Sequence, residues 1–372
     1  MSGPIIVAGG GTGGHVFVAT AVADALLEGG ETTASLCLVG SRRGQDALLL
    51  DGRGIEQISL PGRGIKRSLA PRALADNLGA VIEIARAFVE SLGIVRRKRP
   101  RCVVSVGGYA AAPVGLAAVV WRRPLILVNI DAVPGLTHRI LQRFATAACV
   151  AFAGTPMERT VITGAPVRPE FQGIDRSPAR RREAKRALGV DPDRPMVAIV
   201  TGSLGARSVN TAVADLATRW SDRPATLYHV TGRRDFDLIQ ARRASMRLGL
   251  LDYRITDFEE QVPLVYQAAD LAITRAGALT VAELALLGLP AVLVPLPGAP
   301  GDHQTKNAQA LERAGGAIVL ADSAVTGAAL EDLVAPLLDD PERLAQMGER
   351  ANSVGHPDAA RDVARVVEEH AH

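Results

Sequence analysis

The chain has 372 residues, too many for one typical core, so two domains are expected. Hydrophobic residues make up 48% and charged residues 22%, the balance of a soluble globular protein. A net charge of only +3, with two Trp, four Tyr and seven Phe, argues against a nucleic-acid binder that stacks bases on aromatic side chains. Cys37, Cys102 and Cys149 are scattered in apolar runs with neither metal nor disulfide spacing, which points to a reducing compartment. The first residues carry no basic n-region, so no signal peptide is expected.

The first element is an apolar run, Pro4 to Ala8, read as a strand. It leads into Gly9-Gly10-Gly11-Thr12-Gly13-Gly14-His15 and then a helical pattern from Val16 to Leu27. Strand, glycine loop and helix together bring backbone N–H groups and a positive helix end close to an anion. Further strands are expected at 34–39, 102–106, 125–128 and 147–151. A second set is expected at 195–200, 225–230, 270–273, 290–294 and 317–320, with helical patterns between them. This alternation predicts parallel α/β sheets.

Residues 62–99 combine Arg63, Lys66, Arg67, Arg72, Arg86 and Arg96 to Arg99 with Ile65, Leu69, Leu74, Leu78, Val81, Ile82 and Phe88. That mixture suits an anionic membrane surface, and equally a core-packing helix with a solvated face. Cys102 to Trp121 is uncharged and formally long enough to span a bilayer. Gly107-Gly108-Tyr109 and Pro113 interrupt it, so it reads as strand, loop and buried helix. Residues 164–178 are rich in Pro, Gly and charge and read as a linker. Domains are therefore expected at 1–164 and 165–356, with 357–372 a polar helix packing back on the first.

The second half repeats the opening unit. Thr201-Gly202-Ser203-Leu204-Gly205-Ala206 follows the run Pro195 to Val200 and precedes a helix from Arg207 to Arg219. Thr274 to Glu283 runs from a strand end into a helix whose first N–H groups, at Ala278, Leu279 and Thr280, face an anion. Glu283 is placed on the first turn, either as a helix-start carboxylate or as an acceptor for a ribose diol. Asp302-His303-Gln304-Thr305-Lys306-Asn307 opens another helix. Gln304 and Asn307 share one of its faces, suited to sugar hydroxyls or to solvent.

Asp191-Pro192-Asp193 precedes its strand, and Asp235-Phe236-Asp237 opens and caps a helix, so no metal is expected at either. Gly9-x-Gly11-x-x-Gly14 also matches a dinucleotide fingerprint. Arg42 and Arg43 after the second strand could take an NADP phosphate, which keeps a reductase open. His15, following a phosphate-type loop, is either a helix-start histidine without chemistry or a functional residue beside that loop.

Seven segments then fall into a familiar order: Gly9 to His15, Gly107-Gly108-Tyr109, Ala132-Val133-Pro134-Gly135-Leu136, Gly164-Ala165-Pro166-Val167-Arg168, Ser203 to Ala206, Arg275 to Glu283 and Asp302 to Ala308. In that order the chain resembles, along nearly its whole length, the MurG family of bacterial glycosyltransferases, members of family 28. The resemblance implies an α/β chain of GT-B fold, two Rossmann-like parallel-sheet domains facing a cleft. It implies inverting transfer of GlcNAc from UDP-GlcNAc to the C4 hydroxyl of MurNAc in lipid I, undecaprenyl-pyrophosphoryl-MurNAc-pentapeptide. The product would be lipid II for peptidoglycan synthesis, made without cofactor or metal at the cytoplasmic face of the bacterial cell membrane.

By the same resemblance, Phe258 and the backbone of Glu259 border the uracil, and Glu283 holds the ribose. Arg168, Ser203, Ala278, Leu279 and Thr280 meet the donor diphosphate, and Gln304 and Asn307 meet the sugar. Thr12, Gly13, Gly14, Gly108 and Tyr109 lie near the acceptor diphosphate, with His15 as base and Asp131 beside it. Three positions depart from the family pattern. Val128-Asn129-Ile130-Asp131 replaces His-Glu-Gln-Asn, Thr201 and Leu204 replace Gly and Gln, and Ala165 replaces Asn. Another acceptor, or a UDP-sugar epimerase of the same fold, is the alternative.

Overall fold

The computed structural model describes residues 3–10, 13–42, 53–62, 71–202 and 205–372, with residues 13 and 71–78 described by backbone alone. The chain divides into two compact units, Met1–Pro169 with Asp358–His372, and Glu170–Pro357. Residues 163–167 are buried within the first unit, so the segment expected as a linker begins inside a packed body.

In the first unit the strands are β1 (Ile5–Gly9), β2 (Leu36–Ser41), β3 (Glu56–Leu60), β4 (Cys102–Gly107), β5 (Leu125–Asn129), β6 (Ala147–Val150) and β7 (Thr160–Ile162). All pair in parallel, in the order β3-β2-β1-β4-β5-β6-β7. The central strands are fully buried apolar runs, as a sheet covered on both faces requires. Among the described residues this part of the chain forms the α-helices α1 (Gly13–Glu28), α2 (Pro71–Lys98), α3 (Ala111–Val120) and α4 (Leu136–Leu141). Residues 102–121 therefore split into β4 and α3. No helix among the described residues is long and apolar enough to cross a membrane.

The second unit holds β8 (Met196–Val200), β9 (Thr226–Val230), β10 (Asp252–Thr256), β11 (Leu271–Thr274), β12 (Ala291–Leu293) and β13 (Ala317–Val319), parallel in the order β10-β9-β8-β11-β12-β13. Its helices are α5 (Pro178–Ala187), α6 (Arg207–Arg219), α7 (Phe236–Ala244), α8 (Val262–Ala268), α9 (Ala278–Leu287), α10 (His303–Ala314), α11 (Gly327–Leu338) and α12 (Pro341–Asn352). The core is built of Val197, Ile199, Leu216, Leu227, Ile273 and Leu330, all fully buried. Arg176 ties the ends of two helices. Its guanidinium donates to Ala269 O at 2.5 Å and to Leu287 O and Gly288 O at 3.2 and 2.8 Å, where the helix dipole favours a cation.

The chain then returns to the first unit as α13 (Ala359–His370), which buries Val363, Val366 and Val367 and packs against α1, β4 and β6. The helix approaches so closely that a Cβ on Gly29 would stand 2.5 Å from Glu368 Oε1.

Three strands, β3, β7 and β10, were not expected from the sequence. Each lies at an edge of its sheet. β3 and β7 are largely exposed, so neither carries a continuous apolar run.

Candidate functional site

Each sheet reverses its strand order once, between β1 and β4 in the first unit and between β8 and β11 in the second. In open parallel sheets, ligands bind beyond the carboxyl ends of the strands at such a point. The described residues that follow these four strands, at 10, 108–110, 201–202, 205–206 and 275–277, belong to segments singled out in the sequence.

In the first unit the loops after β1 and β4 touch backbone to backbone. Gly108 has φ +80°, and a Cβ there would stand 2.0 Å from Gly10 O. Gly107 has φ +104°, and a Cβ there would meet His15 Nε2 at 3.2 Å and His138 Cε1 at 3.4 Å. Two histidines thus flank one glycine. His15, half-buried, lies on the first turn of α1.

His138, on α4, is 3% exposed, with Nδ1 3.2 Å from Asn129 Oδ1 and Nε2 3.1 Å from Ser105 O. Burial, reinforced by the nearby His15, pushes its pKa down to about 4, so the ring is neutral at ordinary pH. The Asn129 amide donates to Asp131 O at 2.6 Å, and Thr137 Oγ1 donates to Gly108 O at 3.0 Å. Tyr109 is anchored by its hydroxyl, 2.8 Å from Ser41 Oγ.

In the second unit a buried polar network supports the loop after β8. His229, fully buried, has Nε2 at 2.9 Å from Asn210 Oδ1 and Nδ1 at 2.9 Å from Tyr253 OH. One neutral tautomer satisfies both, donating from Nε2 and accepting at Nδ1, and burial pushes the pKa down to about 3. Asn210 Nδ2 donates to Thr231 O at 2.8 Å and to Asp235 Oδ2 at 3.1 Å. Asp235 was expected to cap α7. Its side chain makes no cap bond and instead holds Arg207 and Arg234, whose guanidinium groups keep its pKa low against the opposing effect of burial. Above this network Gly232 presses on Gly205, where a Cβ would stand 2.3 Å from Gly205 N.

The expected donor residues divide between backbone groups at a helix start and side chains that brace neighbouring loops. α9 begins at Ala278 with no side-chain cap, so the N–H groups of Ala278, Leu279 and Thr280 have no acceptor within the helix. Glu283 falls on the second turn of α9, not the first, because the helix starts as late as Ala278, and the residue is 4% exposed. Gln304 Oε1 accepts from Ala276 N at 3.2 Å and Leu296 N at 2.9 Å. Asn307, fully buried, donates to Ala276 O at 3.2 Å. These amides, with Arg275 donating to Val294 O, Pro295 O and Asp322, lock the loops after β11 and β12 together.

Phe258 is 45% exposed with Arg233 over its ring at 5.2 Å. The Glu259 carboxylate accepts from Tyr228 OH and Gln261 N, fixing the backbone of that turn. Arg168 belongs to the first unit, over the Phe17 ring at 5.6 Å. Gly14 is half-buried at the start of α1, next to Gly13. Thr12, Arg43, Ser203 and Leu204 lie outside the described residues, as do Arg63, Ile65, Lys66, Arg67 and Leu69 of the basic segment.

Sequence reasoning passed over His138, and it gave Asn129, Arg275 and Asp235 no part in bracing the loops. The signal available for His138 was its place two residues into a helix that follows a strand end. No group of His, Cys, Asp and Glu among the described residues could hold a metal ion. A hollow of about 580 Å³ in the second unit, lined by Arg176, Arg181, Lys185, Asp270 and Asn352, lies at the amino ends of the strands, where Asp270 pairs with Arg181 and Lys185. The three cysteines are buried, and their thiols are pushed up to about 12, so none is a nucleophile.

Two all-parallel Rossmann-like sheets, each followed at its switch point by a helix start, define the GT-B fold class. The Glycosyltransferase family 28 N-terminal domain matches residues 5–150 and the C-terminal domain matches residues 196–363, and the chain belongs to this family. It is 41% identical to the UDP-N-acetylglucosamine–N-acetylmuramyl-(pentapeptide) pyrophosphoryl-undecaprenol N-acetylglucosamine transferase of Alkalilimnicola ehrlichii, over 100% of both chains. It is 36% identical to the protein of the same name from Desulforudis audaxviator, over 98% of this chain and 97% of that one. Among solved structures it is similar to Acinetobacter baumannii MurG, with a TM-score of 0.77, 30% identity, and coverage of 99% of this chain and 100% of that one. A UDP-GlcNAc 2-epimerase from Neisseria meningitidis shares the fold at 13% identity and a TM-score of 0.65, covering 98% and 100%.

Gly108→Ala tests the contact between the first two loops. The added Cβ meets Gly10 O at a positive φ, so the unfolding free energy of the first unit should fall by about 2 kcal/mol or more. UDP affinity, assigned to the second unit, should stay unchanged. Wild-type melting in the variant would show that the loops do not touch.

Proposed function

We propose that the protein transfers GlcNAc from UDP-GlcNAc to the C4 hydroxyl of the MurNAc moiety of undecaprenyl-pyrophosphoryl-MurNAc-pentapeptide, with inversion at the anomeric carbon. The observation that carries this reading is full-length similarity to transferases named for that reaction. The geometry supports it through uncapped helix starts at α9, which suit the charge that develops on UDP, and through a histidine beside the glycine loops of the other unit.

In this reading the C4 hydroxyl oxygen attacks the anomeric carbon from the face opposite the phosphate. The bond from that carbon to the β-phosphate oxygen breaks, and its electron pair stays on UDP. His15 takes the hydroxyl proton. The N–H groups of Ala278, Leu279 and Thr280, with Ser203 and Arg168, stabilise the departing diphosphate. Phe258 and the backbone of Glu259 border the uracil, and Glu283 accepts from the ribose diol. Gln304 and Asn307 act on the sugar by holding the Ala276 backbone in place. Thr12, Gly13, Gly14, Gly108 and Tyr109 receive the acceptor diphosphate. Asp131, held through its carbonyl by Asn129, accepts from the acceptor sugar.

The acceptor's polyprenyl chain requires a membrane surface, and the UDP-sugar places that surface on the cytoplasmic side. The support in this chain is α2, which exposes Val81, Ile82 and Val89 on one face alongside Arg86, and Trp121 with Arg96 over its ring at 5.8 Å. An apolar stripe edged by cations suits an anionic bilayer surface.

A labelled-transfer assay with lipid I tests the chemistry. GlcNAc should appear in the lipid product, and His15→Ala should lower turnover about 10²–10⁴-fold with UDP-GlcNAc affinity unchanged. No labelled lipid from the wild-type protein would remove the assignment. A collapse of donor affinity in the variant would remove His15 from the role of base.

Co-sedimentation with anionic vesicles tests the surface. Binding should be reversible and salt-sensitive, and replacing Val81, Ile82 and Val89 together by Ser should weaken it at least tenfold while UDP binding persists. Equal vesicle binding by both proteins would leave α2 without a membrane role.

A further inference from the structure

The buried imidazole in the first unit has a different character from the one in the second. His229 faces one acceptor and one hydroxyl, which a single neutral tautomer satisfies. His138 faces two oxygens, Ser105 O and Asn129 Oδ1, and a neutral ring has only one N–H to give. Placing the proton on Nε2 requires the Asn129 amide to turn its nitrogen to the ring and release Asp131 O. Placing it on Nδ1 keeps Asn129 and Asp131 as they stand and leaves Ser105 O facing a lone pair. The Ser105 hydroxyl, also buried, has no hydrogen-bond partner. Polar groups this costly to bury need a reason beyond stability.

The surroundings supply one. The first turn of α4 grips the end of β4 and its loop from one side, with Thr137 on Gly108 O and His138 on Ser105 O. The loop of β1 presses from the other, with Gly10 O against Gly108 and His15 against Gly107. Asn129, at the end of β5, connects the same ring to Asp131.

We propose that His138 is a positioning residue for the transfer step, seating the Gly107 loop against His15 and holding the Asp131 turn through Asn129. This rests on the reading of His15 as proton acceptor. The ring's neutrality, kept by its burial, lets it do so without placing a second cation beside His15.

The test is a double-mutant cycle in the transfer assay, with His138→Phe and His138→Gln made in the wild-type and His15→Ala backgrounds. His138→Phe fills the space and cannot hydrogen-bond. It should lower kcat by about 10²-fold with the UDP-GlcNAc KM unchanged, the scale expected when a reacting group shifts by about 1 Å. His138→Gln, which can still donate to Ser105 O, should recover most of that loss. In the His15→Ala background His138→Phe should cost nothing further.

Wild-type kcat in His138→Phe, or the same loss in both backgrounds, overturns the proposal while His15 remains the base. Unchanged kcat in His15→Ala overturns the base reading and this proposal with it. Should His138→Phe fail to fold, Thr137→Val loosens the same grip. A several-fold loss of kcat that vanishes in His15→Ala supports the proposal, and no loss overturns it.

Discussion

Backbone contact between neighbouring glycine loops at the carboxyl edge of each sheet is the constraint on which the rest of this structure depends. In the first unit Gly108 lies on Gly10, and in the second Gly232 lies on Gly205. Both contacts need a residue without a Cβ at a positive φ, where any L side chain would clash and be strained. Because the strands run parallel, their carboxyl ends gather on one edge, and the reversal of strand order opens a crevice there. In the first unit glycine lets the two loops beside that crevice meet without filling it, and in the second the Gly232–Gly205 contact steadies the loop after β8 from the side of β9.

The loops are then made rigid from below. In the second unit Thr201, Asn210, His229, Tyr253 and Asp235 form a connected buried network, and Arg275, Gln304 and Asn307 tie the loops on the other side. A buried carboxylate and a neutral buried histidine cost free energy unless every partner is present. Their return is a fixed loop backbone, which a site that binds a diphosphate through N–H groups requires. The amides read from the sequence as sugar contacts also take part in this support. Their helical spacing showed that they share a face, and only the fold shows that the face meets the backbone of Ala276.

Ten of the thirteen strands among the described residues were legible as short apolar runs, nine because strands inside a parallel sheet are buried on both faces, and the edge strand β13 because Ala317-Ile318-Val319 is itself apolar. β3, β7 and β10 were not, because an edge strand has one free side and tolerates Glu56, Thr160 or Asp252. The glycine loops and their order were legible because backbone approach leaves a residue-type signature. Glu283 was misplaced by a turn, since the start of α9 depends on Gly277 adopting an extended conformation that no spacing announces. His138 drew no notice because its two partners, Ser105 on β4 and Asn129 on β5, are brought to it only by the pairing of those strands in the sheet.

The central claim is that the nucleotide is held by the loops of the second unit and not by those of the first, despite their similar glycine pattern. Backbone amide exchange with and without UDP tests it directly. Binding should slow exchange at residues 278–281 and 205–208, and leave residues 13–16 and 107–110 as they were. Protection confined to 13–16 and 107–110, with 278–281 unaltered, would contradict the account.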